Sequence, residues 1–508
     1  MTAPFYNWLR DRSAGVLLHP TSLPGDFGVG CFSQEAFSFV DFLRAGKIRY
    51  WQVCPLGPTG YGDSPYQCFS SFAGNPYLID LLDLSEHGLL KPDALGPLLF
   101  LDSNRVDYGA LYELKWPILF QACQGFRKLP KKKHPYGDFE KYLEENRHWL
   151  DAYAYFHALK QSHDGAPWYQ WPESERTFEL ARKSVKDSEV LERVQDHRIL
   201  QYLFDGQWRR LKDYASRRGV RIIGDVPIYA AADSADIWSH PDIFQLDAES
   251  GRLLEVAGVP PDYFSETGQL WGNPLYNWKA LKASGYQWWL DRLGRNLELY
   301  DVVRIDHFRG FHDYWSIPSD APDARSGRWL KGPDLDFLKA VKSAYPKARL
   351  IAEDLGDLSE GVYKLRDAAG LPGMAILQFA FGGESDNLYL PHNHTANTVV
   401  YPGTHDNNTT RGWYEGLDEK TADHVRRYFR ISGEEIAWDF VRAAYRSPAR
   451  MAVIPMQDLL NLDESARLNL PGEAEGNWRW RCELNALDRL RKSSGAYLVE
   501  LAQLYGRS

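Results

Sequence analysis

Eight short runs rich in Val, Ile, Leu and Ala, spread along the chain, most constrain its fold. They are Gly15–Leu23, Tyr50–Leu56, Arg221–Tyr229, Tyr300–Phe308, Arg349–Gly356, Ala375–Phe381, Thr398–Asp406 and Ala449–Leu460. Such runs read as parallel strands buried on both faces. Helical patterns, among them Ser33–Ala45, Val194–Arg218 and Asp334–Ala344, lie between several of them. Strands alternating with helices predict an α/β protein, and eight of them predict a (β/α)8 (TIM) barrel. A doubly wound open sheet would carry a glycine-rich phosphate turn after its first strand. Gly25, Gly28 and Gly30 have the wrong spacing for that turn, and Gly57-Pro-Thr-Gly-Tyr-Gly62 is followed by no P-loop lysine.

The spacing of the runs is uneven. Residues 57–220 and 230–299 are large insertions into a single catalytic barrel spanning 1–508. The first is expected to be largely helical over about 84–200 and the second to hold a lid loop over about 255–275. No C-terminal β-sandwich domain is expected. Lys131-Lys-Lys-His134 reads as a solvated basic loop, and 314–333 carries no assignment.

Three of the runs end in acids: Asp306 after Val302-Val-Arg-Ile, Glu353 after Leu350-Ile-Ala, and Asp406 in Gly403-Thr-His-Asp-Asn407. A carboxylate at the edge of an apolar strand must be solvated or paired. Three such ends place acids on one rim of the sheet, and a barrel keeps its chemistry at that rim. Two facing carboxyls, one nucleophile and one acid/base, cleave a glycosidic bond with retention when they lie about 5–5.5 Å apart. Arg304 stands two residues before Asp306, on the same side of the strand, where it would hold Asp306 ionised for attack. Glu353 has the longer reach and suits the acid/base. Asp406 would grip sugar hydroxyls in the distorted ring, with His307 and His405 beside the acids.

Composition narrows the partners. A net charge of −9 argues against nucleic acid and anionic membranes. No apolar run approaches the roughly 20 residues of a membrane span. The first residues lack a signal or transit character, so a cytoplasmic location is expected. Five cysteines with no C-x-x-C pair suit a reducing compartment without disulfides or zinc. No D-x-D-x-D-G calcium loop occurs, so neither metal nor cofactor is expected. The 18 Trp and 29 Tyr residues supply flat faces that cores and sugar clefts both use.

Val303-Arg-Ile-Asp-His-Phe-Arg-Gly310, Ile351-Ala-Glu-Asp-Leu-Gly356 and Gly403-Thr-His-Asp-Asn407 resemble the amylomaltases, or 4-α-glucanotransferases, of glycoside hydrolase family 77, relatives of the α-amylases. The likeness runs through His19-Pro-Thr-Ser-Leu-Pro-Gly25, Tyr61-Gly-Asp-Ser-Pro-Tyr-Gln67, Gly224-Asp-Val-Pro-Ile-Tyr229, Val259-Pro-Pro-Asp-Tyr-Phe264, Gln269-Leu-Trp-Gly-Asn-Pro274 and Gly373-Met-Ala-Ile-Leu-Gln-Phe379. It ends in Asn469-Leu-Pro-Gly472 and Gly476-Asn-Trp-Arg-Trp480. It implies transfer of α-1,4-glucan segments between maltooligosaccharides, amylose, and starch or glycogen fragments, with cyclic glucans as a possible product. It also implies Asp306 as nucleophile, Glu353 as acid/base and Asp406 as transition-state stabiliser. Arg304, His307, His405 and Asp225 match the subsite of the cleaved sugar, and Tyr66, with Ser64 of the same motif, its stacking wall. Tyr263, Phe264 and Trp271 match a loop arching over the cleft, and Asn477 a contact to donor hydroxyls. Core packing for Tyr66, Tyr263, Phe264 and Trp271, and a partner role to Arg304 for Asp225, stay open. From the residues alone, a retaining α-1,4-glucan hydrolase or a non-catalytic glucan-binding barrel also stays open. A monomer or weak oligomer is expected.

Overall fold

The computed structural model describes residues 4–247, 251–261, 265–356, 358–473 and 475–508, the side chain of Tyr61 excepted. Among them run twelve strands: β1 (Ser13–Leu17), β2 (Tyr50–Gln52), β3 (Arg221–Pro227), β4 (Glu255–Val259), β5 (Gln269–Pro274), β6 (Val302–Asp306), β7 (Asp313–Pro318), β8 (Arg328–Lys331), β9 (Leu350–Ala352), β10 (Gly373–Ile376), β11 (Thr398–Tyr401) and β12 (Met451–Pro455).

Eight of these form one all-parallel sheet in the order β10-β11-β12-β1-β2-β3-β6-β9. The ring closes between β9 and β10, where the Ala352 N–H donates to the Pro372 carbonyl at 2.9 Å. This is the expected (β/α)8 barrel, and each apolar run supplies one strand. The strands are shorter than the runs because the tail of each run leaves the ladder and enters the mouth. Ala375–Phe381, for example, gives the end of β10 and then a 3-10 turn, Leu377–Phe379. The barrel is packed solid with Val16, Trp51, Ile222, Val303, Ile351, Val399 and Val453, all fully buried. Gly224 keeps β3 close to Tyr300, since a Cβ there would sit 2.0 Å from that ring.

The first insertion is helical, as its charge-laced amphipathic pattern predicts. Helices Tyr108–Lys128, Phe139–Ser162 and Ser188–Arg217 start on Asp107, Asp138 and Asp187, each of which accepts first-turn N–H groups. The last of them is tied to the barrel by Trp208 Nε1, which donates to the Leu299 carbonyl at 3.0 Å. Lys131–Lys133 form an exposed turn, with Lys131 paired to Glu140 at 3.2 Å.

A second sheet, β5-β4-β7-β8, is antiparallel and comes from the two loops after β3 and β6. Its second hairpin is the stretch 314–333. Strands of four to six residues broken by Gly and Pro leave little alternation to read there. Gly258 permits the close approach of β4 and β5, because a Cβ would lie 2.2 Å from the Gln269 carbonyl. At the opposite end of the barrel Arg507, fully buried, donates to the carbonyls of Ser13, Tyr445, Arg450, Ala444, Ser447 and Ala449.

Candidate active site

The ladder between β3 and β6 sets Asp225 opposite Arg304. Arg304 Nη1 donates to Asp225 Oδ2 at 2.6 Å and to Asp306 Oδ1 at 2.8 Å, so one guanidinium clamps two acids. Arg304 and Asp225 are buried, whereas Asp306 keeps 28 % of its side chain open to the mouth. Burial lifts Asp225 to about 6, against the pull of Arg304. Burial alone would lower Arg304, but Asp225 and Asp306 raise it well above its ordinary value.

After Asp306 the chain turns through a left-handed residue, His307, with φ of 51°. That turn aims the His307 N–H at Glu353 Oε2, 2.7 Å away, while the Leu355 N–H bonds Oε1 at 3.0 Å. Ile305 pairs with Ala352, so Glu353 emerges from β9 beside Asp306. Burial raises Glu353 to about 7; Arg304 opposes the rise and the charge of Asp306 adds to it. A carboxyl that holds its proton near neutrality can donate it.

Asp406 stands in the opposite condition. Burial would raise it, but His405 Nε2, at 3.2 Å, and Asn469 Nδ2, bonded to Oδ1 at 2.7 Å, hold it down at about 2. His405 is buried, and Asp406 outweighs that burial and raises it. Burial lowers His307 to about 4 and His19 to about 3. Among the described residues, Asp225 Oδ1, His307 Nε2 and His19 Nδ1 are buried without a hydrogen-bond partner.

The aromatic walls are of two kinds. The Tyr66 ring stacks on His405, with centroids 4.9 Å apart at 14°, and its hydroxyl donates to Asp225 Oδ2 at 2.8 Å. Ser64 Oγ accepts the Tyr66 N–H at 3.2 Å and shapes that turn. Trp271, on β5, meets His307 edge-on at 4.9 Å. Tyr263 and Phe264 lie outside the described residues. Asn477 is spent on its own loop: its Oδ1 accepts from Leu470 N–H, and its Nδ2 donates to the Leu470 and Glu473 carbonyls.

The sequence reading did not single out Asn469, Arg467 and Trp478. All three stand in or beside quoted motifs, but about 60 to 70 positions beyond Asp406, and no spacing rule links them to it. Among the described residues, no cluster of three or more His, Cys, Asp or Glu side chains is placed to hold a metal.

A closed parallel barrel with clamped acids, a proton-holding glutamate and stacked aromatics at its mouth defines a carbohydrate-active (β/α)8 barrel. The model of the 4-alpha-glucanotransferase family, glycoside hydrolase family 77, matches residues 18–486, and the chain belongs to that family. It is 48 % identical over 480 residues to a 4-alpha-glucanotransferase of Thermus thermophilus, covering 92 % of this chain and 94 % of the relative. It is 44 % identical to a 4-alpha-glucanotransferase of Streptococcus pneumoniae, covering 98 % of each. Its structure resembles that of a Streptococcus agalactiae amylomaltase in complex with acarbose, with a TM-score of 0.92 and 38 % identity, over 98 % of this chain and 100 % of the other.

Proposed function

We propose that this chain transfers segments of α-1,4-glucans to the 4-hydroxyl of another glucan or of glucose, by a retaining double displacement. Glu353 protonates the glycosidic oxygen while Asp306 attacks C1, forming a glycosyl-aspartate. The leaving chain departs, a second glucan enters, and Glu353, now a base, takes the proton from its 4-hydroxyl. Two inversions give net retention. Asp406, Arg304, Asp225, His307 and His405 bind the sugar at the cleavage point, and Tyr66 and Trp271 wall it. An attack from within the same chain yields a cyclic glucan.

The observation that carries this reading is the split between the acids. Glu353 is raised to about 7 and Asp406 is lowered to about 2 within one mouth. Acids pushed apart in this way take different roles. The sheet β5-β4-β7-β8 supports transfer over hydrolysis, because Trp271 projects from it onto His307 and an apolar wall beside the acids disfavours water there while offering a sugar a face to pack on. We also place the reaction in the cytosol; five free cysteines, four of them buried, are in keeping with a reducing compartment.

Incubation with maltotriose, with no cofactor or metal added, tests the function. Glucose plus maltooligosaccharides longer than the input is the expected result. Glucose and maltose alone would make the chain a hydrolase, and unchanged maltotriose would make it a binding protein.

A further inference from the structure

The residues after β12 return to the mouth and take hold of one catalytic acid. Arg467 Nη2 donates to the Asp406 backbone carbonyl at 2.8 Å, and Asn469 Nδ2 donates to Asp406 Oδ1 at 2.7 Å. Main chain and carboxylate of the same residue are thus gripped by two side chains only two positions apart. Gly472 and Gly476 turn the loop beyond them with φ of 90° and 85°, and the Asn477 amide bonds Leu470 in both directions. The chain then returns alongside itself, where the Trp478 N–H donates to the Leu468 carbonyl at 2.7 Å.

Trp478 adds a second hold. It is a non-glycine residue at φ of 63°, a strained conformation that persists only where the surroundings enforce it. The reward is placement: its buried indole lies 5.8 Å from the His405 ring and 5.8 Å from the Tyr66 ring. His405 Nε2 is the other neighbour of the Asp406 carboxylate. Residues 467–478 therefore touch Asp406 directly at two points and a third time through His405.

We infer that Asn469 is a positioning residue for the transfer reaction, and that Arg467, Asn469 and Trp478 form a strap which fixes the rotation of the Asp406 carboxylate. The inference rests on the role given to Asp406 above. The logic is geometric. The Asp406 side chain is 43 % exposed, so packing alone does not set its orientation. With one oxygen on His405 and the other on Asn469, the remaining lone pairs point in a fixed direction for sugar hydroxyls. A carboxylate free to swivel would spend part of its interaction with the distorted ring on becoming ordered, and that loss falls on kcat.

The test compares Asn469→Ala, the isosteric Asn469→Asp and Asp406→Asn in maltotriose disproportionation across pH. Asn469→Ala should lower kcat about 10- to 100-fold, the worth of one hydrogen bond to a charged group, with KM changed far less. Its acid limb should move to higher pH, because a donor that favours the ionised Asp406 is gone. Asn469→Asp keeps the shape and sets a like charge against Asp406, so at pH 7 it should be slower still. A wild-type kcat and an unmoved acid limb in Asn469→Ala, beside an inactive Asp406→Asn, would overturn the strap alone. A rise in KM at constant kcat would also overturn it and make Asn469 a binding contact. Full activity in Asp406→Asn would overturn the role of Asp406 itself.

Discussion

At the scale of single residues, the roles proposed for Asp306 and Glu353 make separate predictions. Asp306→Asn should cut transfer by at least about 1,000-fold, since the covalent intermediate can no longer form, while circular dichroism and glucan binding stay unchanged. Glu353 makes two further predictions. Its proton must be in place for the leaving group, and its value is about 7, so kcat should fall as pH rises through about 7. Glu353→Gln should lose about 100- to 10,000-fold on maltotriose but keep activity on glucosyl donors with acidic leaving groups. The same shift bears on stability. A carboxyl whose folded value is raised binds more protons folded than unfolded between its ordinary value and about 7. Stability is therefore lost as pH rises through that window. Glu353→Gln should melt higher than the parent at pH 8 and close to it at pH 4, which paired thermal melts will show. The three acids were legible in the sequence because each ends an apolar run and a single carboxylate there needs a reason. Asn469 and Trp478 were not legible. Their partners are fixed by where a loop returns in space, and neither residue breaks a local rule in the sequence.

At the scale of elements, the small sheet β5-β4-β7-β8 sets Trp271 against His307 at the mouth. Gly258 is its tightest point, with the Gln269 carbonyl and the Ile317 side chain both within 2.5 Å of where a Cβ would stand. Gly258→Ala should push β4 and β5 apart, raise the share of hydrolysis over transfer from maltotriose, and leave the main barrel melt nearly unchanged. A product ratio equal to the parent would show that this hairpin does not control water. The eight barrel strands were legible because strands buried on both faces read as continuous apolar runs. Strands β4 and β5 lie within 255–275, where a lid loop was expected, whereas the partner hairpin β7-β8 was not read from the sequence. Trp315 opposite Trp329 is a cross-strand pair, and such pairing is invisible until the register is known.

At the scale of the whole molecule, the C-terminal residues are held at the end of the barrel opposite the acids. Arg507 is buried, has no carboxylate partner among the described residues, and serves six backbone carbonyls around β1 and β12. Arg507→Ala would leave several of them without a donor and should cost at least about 3 kcal/mol by urea unfolding. Activity per folded molecule at 25 °C should not change, because no catalytic acid touches this cluster. The clamp was not legible, since a terminal arginine in sequence is indistinguishable from a solvated one. The division of labour among the loops has its own consequence. Asp306 ends β6, Glu353 and Asp406 follow β9 and β11, and the helical insertion and the β4-β5 hairpin are spliced in after β2 and β3. The β4-β5 hairpin thus lies before Asp306 in the chain, and the β7-β8 hairpin lies between Asp306 and Glu353. Selection, or a protein engineer, can trade one roof for another and alter which acceptor is admitted without rewriting the strands that carry the acids.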